Sequence, residues 1–315
     1  MAVGMLQLHL IPEVEPLIAE RNRLRQALHA QNTERGYSYD WASYEVWCAR
    51  KERRALPATP ETVSLYLTGL ITRGLKVATA TRHAAAIVHH HRFAGFDSPA
   101  TEQVWGLLKA AQRLRNEQPK QKRALTMAEL RAIAARLTAK GTPRAIRDRA
   151  ILVVGFASAL RRSNLCALML DDLEFQEQGI VLRIRREKQD QNGRGRLIGI
   201  PPGQHDETCP VRCLRAWLSV RGSHPGALFT GGKGQPLRPC RIAALVQANV
   251  ARLGLDPQQY GAHSLRAGFI TEAGEAGASE LLIAAQTGHR SMDTLRRYFR
   301  RRDLFKANAC SLIGL

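Results

Sequence analysis

Tyr298 stands nine residues after His289 of Gly288-His289, and before both lies His263-Ser-Leu-Arg266. Further upstream are Lys188, near an Asn192-Gly193 turn, and Arg161, in Ala159-Leu-Arg161-Arg162-Ser163-Asn164-Leu165. Together these residue types could open and reseal a phosphodiester. That reaction needs a nucleophile in line with phosphorus, cations to neutralise the five-coordinate transition state, and a proton for the leaving oxygen. A tyrosine nucleophile keeps the bond energy in an ester, so resealing needs no ATP. Arginine suits the second task, because its planar fork donates paired hydrogen bonds to phosphate oxygens and stays charged. His263 and Arg266, three apart at the start of a predicted helix, share one face. Arginine is a poor proton donor, its pKa lying above ~12, so Lys188 suits the third task better than Arg183, Arg185, Arg186 or Arg194 of the same predicted hairpin. Singly, each signal is weak: His-x-x-Arg arises often by chance, and a lone arginine at a helix end is usually a surface residue.

The elements that must position these groups fall into two halves. The first reads as helices: Pro16 to about Gln31, ended near Gly36; Ser38 to about Arg53, with Trp41, Tyr44, Val46, Trp47 and Cys48; and a helix entered at Thr59-Pro60, an N-cap followed by proline at the first helical position, running to Gly74. Thr79 to His91 and Pro99 to Asn116 follow the same period. Glu117 to Arg123 is polar and basic, contains a proline and has no apolar period, so it reads as a linker; a solvated surface loop is the plain alternative. Beyond it, Thr126-Met-Ala-Glu129 has the form of a capping box, and 144–160 is an apolar helix that delivers Arg161 to a rim. Ile180–Arg186 and Arg196–Ile200 alternate as two short strands. From Cys209 onward the pattern is helical again.

Size and charge narrow the partner. The chain has 315 residues, enough for two domains that each bury a core. Lys and Arg number 47 against 27 Asp and Glu, a net charge of +20, which suits a polyanionic partner such as nucleic acid better than a generally basic surface does. No run approaches the ~18–20 apolar residues of a membrane span, and the N-terminus lacks the features of a signal peptide. The six cysteines are scattered and read as free thiols of a reducing cytosol. Cys209 and Cys213 lack the further ligands of a zinc site. His89-His90-His91, consecutive on a predicted helix, point to different sides and cannot converge on one ion. No metal and no cofactor is expected. Trp41, Trp47, Trp105 and Trp217 read as core rather than as platforms for stacked bases.

The joint spacing is far more specific than its parts. His263-Ser-Leu-Arg266-Ala-Gly268, then Thr287-Gly288-His289, then Tyr298, with Arg161 and Lys188 upstream, closely resembles the signature of the tyrosine recombinase (phage integrase) family. The resemblance covers about residues 125–302 by motif and about 33–116 more loosely. It implies a mainly α protein of two domains closing as a C-shaped clamp around duplex DNA. Residues 1–116 would form a helical, SAM-like core-binding domain, 117–124 a basic linker, and 125–315 an α-rich catalytic domain with a small antiparallel sheet. It further implies that Arg161 and Arg266 clamp the scissile phosphate, that His263 bonds a non-bridging oxygen and assists proton transfer from the tyrosine, and that Lys188 is the general acid. His289 would hydrogen-bond the phosphate, and Tyr298 would be the nucleophile. Arg162 is not part of the set.

The same resemblance implies site-specific recombination in the cytoplasm. A homotetramer would act on two short inverted-repeat sites through a Holliday junction. The short segment before Ser38 points to a simple recombinase without an arm-binding domain, and the apolar tail 304–315 to a helix docking in trans on a neighbouring protomer. The other readings are type IB topoisomerase-like relaxation and a DNA-binding factor with weakened catalysis. Asn164 favours the last of these, because the family usually has an acidic residue three positions after the first arginine.

Overall fold

The computed structural model describes residues 14–26, 31–117, 121–187, 195–232, 234–289, 291, 292 and 295. The chain divides into two compact units at Lys120/Gln121. In the first, the helices are α1 (Val14–Gln26), α2 (Gln31–Arg50), α3 (Pro60–Thr72), α4 (Val77–Phe93) and α5 (Glu102–Arg115). Thr59 caps α3 as its sequence predicts, its hydroxyl accepting from the Thr62 N–H at 3.2 Å with Pro60 at the first helical position. The expected break at Gly36 is absent: α2 runs straight through it. A helical glycine costs only about 1 kcal/mol. Burial of Trp41, Tyr44 and Cys48 on the same helix outweighs that cost.

The three histidines of α4 part company. His91 is fully buried and joins two backbones: its Nε2 accepts from the Ala58 N–H at 2.8 Å, so its Nδ1 carries the proton toward the Ile87 carbonyl at 2.8 Å. His90 stacks on Trp41 with centroids 4.6 Å apart, and His89 lies against Tyr37. Among the described residues no cluster of His, Cys, Asp and Glu could hold a metal. At the end of the unit, Glu117 accepts from the Val77 N–H at the start of α4.

The second unit begins with a strap along its own core. The Arg123 N–H donates to the Gln259 carbonyl at 2.7 Å and the Leu125 N–H to the Ser264 carbonyl at 3.0 Å. Then come α6 (Met127–Lys140), α7 (Pro143–Ala157), α8 (Arg162–Ala167), β1 (Leu173–Gln176), β2 (Gly179–Ile184), β3 (Arg196–Ile200), α9 (Pro210–Arg221), α10 (Pro239–Ala251), α11 (His263–Glu275) and α12 (Glu280–Thr287). The capping box at Thr126 forms in full, with Glu129 reaching back to the Thr126 N–H. The central element is α7, where 150–154 and Phe156 are all buried, because α6, α9 and α11 all pack against it. The sheet is an antiparallel meander in the order β1-β2-β3, with Leu173 opposite Leu182 and Ile184 opposite Arg196.

The Cys209 and Cys213 thiols are buried and engaged locally. Cys209 Sγ accepts from the Gly203 N–H at 3.2 Å, and Cys213 donates to the Glu207 carbonyl at 3.3 Å. Trp217 is core, its indole N–H donating to the Leu228 carbonyl at 2.8 Å. No helix among the described residues is long and apolar enough to cross a membrane.

Candidate active site

Four of the six predicted site residues belong to the described part of the chain, and the second unit brings all four together. Lys188, Tyr298 and the tail 304–315 lie outside the described residues. Arg161 is the N-cap residue of α8, four residues past the end of α7. His263 and Arg266 occupy the first turn of α11, and His289 follows the left-handed Gly288 that terminates α12. The ends of three helices, separated by long stretches of sequence, meet at this point.

Arg266 is the centre of the arrangement. It is 1% exposed, an expensive place for a charge unless every side of it is used. Its Nη1 donates to the Ala159 and Thr287 carbonyls, both at 2.7 Å, and its Nη2 faces His289 Nε2 at 3.1 Å. Ala159 supplies its carbonyl from a backbone with φ of 49°, a left-handed conformation that costs a non-glycine residue about 1–2 kcal/mol. Strain therefore sits where the turn between α7 and α8 must aim a carbonyl at Arg266.

The tautomer of His289 follows from its neighbours. The Thr287 hydroxyl gives its only proton to the Ile283 carbonyl at 2.6 Å, so the 2.7 Å contact with His289 is donated by Nδ1–H. That leaves the Nε2 lone pair toward Arg266. Burial pushes the pKa of His289 down to about 4, and Arg266, Arg161, His263 and Arg196 add to the effect. His263 keeps one side open to solvent, and its pKa is lowered by the protein walling its other side, then by Arg266 and Arg161. Both imidazoles are neutral at pH 7 in the free protein.

A stability effect of defined sign follows. In the unfolded chain His289 takes up its proton near pH 6.5, in the folded protein only near about 4. Between those values the unfolded state holds more protons, so stability falls as pH is lowered through that window. Thermal unfolding between pH 6.5 and 5 should show Tm falling, and falling less in a His289→Asn variant; parallel curves for the two proteins would refute the assignment.

Two contributors are not among the predicted site residues. Glu187, just past β2, accepts from the Asn164 side-chain amide at 3.1 Å, pairs with Arg196 Nε at 3.2 Å and lies 3.8 Å from Arg161 Nη1. Arg196, which opens β3, also donates to the Ala285 and Gln286 carbonyls at the end of α12, at 3.2 and 3.1 Å. The pair rests against Gly288, where a Cβ would come within 2.7 Å of Glu187 Oε2. Arg162, excluded from the set by the sequence, is exposed. What the site offers is a concentrated positive field with fixed donors and two neutral imidazoles, suited to a phosphate in which charge builds up during reaction.

Comparison with known proteins agrees. Residues 123–304 match the phage integrase family. An integrase/recombinase XerD homologue of Selenomonas ruminantium is 33% identical over 304 residues, covering 94% of this chain and 89% of that one. The tyrosine recombinase XerD of Caulobacter vibrioides is 26% identical, with 85% and 86% covered. Among solved structures, the Tn1549 transposon integrase in complex with transposon right-end DNA superposes with a TM-score of 0.63 at 16% identity, covering 95% of this chain and all (100%) of that one. The XerH site-specific recombinase bound to palindromic difH substrate, in a post-cleavage complex, gives 0.61 at 19% identity, covering 81% of this chain and 73% of that one. The mainly helical fold with its small antiparallel sheet is thus that of a DNA strand transferase of the recombinase class. The chain belongs to the phage integrase family, the tyrosine recombinases.

Proposed function

We propose that this chain cleaves and rejoins DNA at a defined site, with Tyr298 attacking the scissile phosphorus to form a 3′-phosphotyrosine ester. Arg161 and Arg266 hold the non-bridging oxygens, and His263 bonds one of them and assists transfer of the tyrosine proton. On DNA binding His289 turns its N–H from Thr287 to the phosphate and hydrogen-bonds it, and Lys188 protonates the departing 5′ oxygen. A 5′ hydroxyl from the partner duplex then attacks the ester, releasing the tyrosine and completing the exchange. Two such rounds pass through a Holliday junction. The convergence of Arg161, His263, Arg266 and His289 around one buried guanidinium supports this reading most.

The substrate is duplex DNA, bound chiefly through phosphates in keeping with a net charge of +20, so affinity falls steeply with salt. Residues 1–116 act as the core-binding domain, and 125–315 carry the chemistry. The assembly is a homotetramer on two inverted-repeat sites in the cytoplasm, with 304–315 docking in trans. Topoisomerase-like relaxation is not favoured, because the relatives are named as recombinases.

A library of duplexes carrying phosphorothiolate suicide linkages, incubated without metal or ATP, tests the chemistry. A covalent protein–DNA band is expected from the wild type and none from Tyr298→Phe. The trapped duplexes should share one inverted repeat. Broad, sequence-independent trapping would overturn site specificity, and tight binding with no band would leave a DNA-binding factor.

A further inference from the structure

The carboxylate that this chain lacks on α8 stands on the hairpin instead, and Asn164 is matched to it. Position 164 faces the site three residues after Arg161, where the resemblance leads one to expect an acid. Asn164 is 9% exposed, and its amide Nδ2 donates to Glu187 Oε1 at 3.1 Å. A carboxylate at 164 would place two acids in contact, which is unfavourable in a half-buried site. Glu187 spans further than its Asn164 partner, meeting two arginines besides the amide. Its Oε1 lies 3.8 Å from Arg161 Nη1 and accepts from Arg196 Nη2 at 3.2 Å, while its Oε2 sits 3.2 Å from Arg196 Nε.

The consequences are geometric. Arg196 carries the far end of the hairpin and is anchored on the Ala285 and Gln286 carbonyls of α12, four and three residues before His289. Gln286 in turn donates to the Ala157 carbonyl at the end of α7. One carboxylate therefore joins Arg161, α8, both ends of the hairpin and the turn that presents His289. It is also the residue immediately before Lys188 in the sequence. An anionic group here offsets the mutual repulsion of Arg161 and Arg196 without contacting Arg266, whose partners are carbonyls and an imidazole.

We infer that Glu187 is a positioning residue for strand cleavage: it fixes Arg161 and the base of the Lys188 hairpin, taking over from α8 the task of an acidic residue at 164. The inference rests on the roles proposed above for Arg161 and Lys188.

The test is a swap of the hydrogen-bonded pair in the intact protein. Single-turnover formation of the covalent adduct on suicide DNA is measured for wild type, Tyr298→Phe, Glu187→Gln, Asn164→Asp and the double variant Glu187→Gln/Asn164→Asp. DNA affinity and Tm are measured alongside. Glu187→Gln should slow cleavage by on the order of tenfold to a hundredfold, the scale of a misaligned catalytic group, with DNA affinity nearly unchanged. Asn164→Asp alone should also slow it, since two acids then face each other. In the double variant the amide and the acid have exchanged sides, and the rate should return to within about threefold of wild type, a recovery that a general loss of stability would not produce. A double variant no faster than the slower single variant, with wild type active, overturns the inference and leaves the functional reading intact. Wild-type rate in Glu187→Gln does the same. Absence of a Tyr298-dependent adduct from wild type overturns the functional reading itself, and the role of Glu187 with it.

Discussion

Arg266→Lys is expected to lower the rate of covalent-adduct formation by about a thousandfold, the upper end for losing a transition-state donor. The guanidinium reaches two carbonyls and an imidazole from one buried plane, at 2.7, 2.7 and 3.1 Å. A lysine ammonium presents a single point of charge and cannot span them. One or both carbonyls would then lose a buried partner, each at a cost of about 1–3 kcal/mol. His289 would lose the donor that faces its Nε2. Binding to DNA should change far less, because the net charge of +20 is spread over the chain. Single-turnover cleavage beside a mobility-shift titration checks both halves of the expectation. A cleavage rate within tenfold of wild type would sink the central role given to Arg266.

The second large effect is on folding and comes from the smallest residue of the same motif. Gly268 lies on α11 where the strap at Leu125 crosses it, and an added Cβ would stand 2.1 Å from the Leu125 carbonyl oxygen and 2.7 Å from the Phe156 ring. Backbone cannot move aside as a flexible side chain does. Leu125 is further tied to α11 by its N–H on the Ser264 carbonyl at 3.0 Å. Gly268→Ala should therefore destabilise the second unit by about 3 kcal/mol, although alanine is the better helix former by about 1 kcal/mol. Gly106 of α5 provides the contrast, since nothing lies within 4 Å of its would-be Cβ. Gly106→Ala should raise stability by up to about 1 kcal/mol. Denaturant unfolding of the two variants decides the matter: the same chemical change should carry opposite signs.

Much of this molecule could be read before folding. Caps are local, so Thr59-Pro60 and Thr126-Met-Ala-Glu129 announce helix starts that form as expected. The spacing His263-x-x-Arg266 and the Thr287-Gly288-His289 turn also foretold two local arrangements that meet in the structure, because one helix turn and one left-handed glycine fix them. What failed to show was decided at a distance. β1 is a four-residue strand with only partial burial, too short to have a period, and exists because β2 offers it an edge. The continuity of α2 through Gly36 depends on tertiary burial of Trp41 and Tyr44. Glu187 and Arg196 escaped because their pairing is made by the hairpin itself. In the sequence they are one acid and one base among many, and the only hint is an isolated glutamate in an arginine-rich run facing an asparagine where an acid is expected.

The carbonyls that grip Arg266 come from Ala159 and Thr287, 107 and 21 residues away along the chain. No single helix of the second unit carries this geometry by itself; the chain from 159 to 289 must fold together before it exists. A ribosome releases Arg161 long before Arg266, and Tyr298 only after every group proposed to activate it. A recombinase that cut DNA before it was fully made would be a hazard to the cell. Here the hazard is deferred, because the carbonyl grip on Arg266 forms only once residues 159 to 287 have folded together.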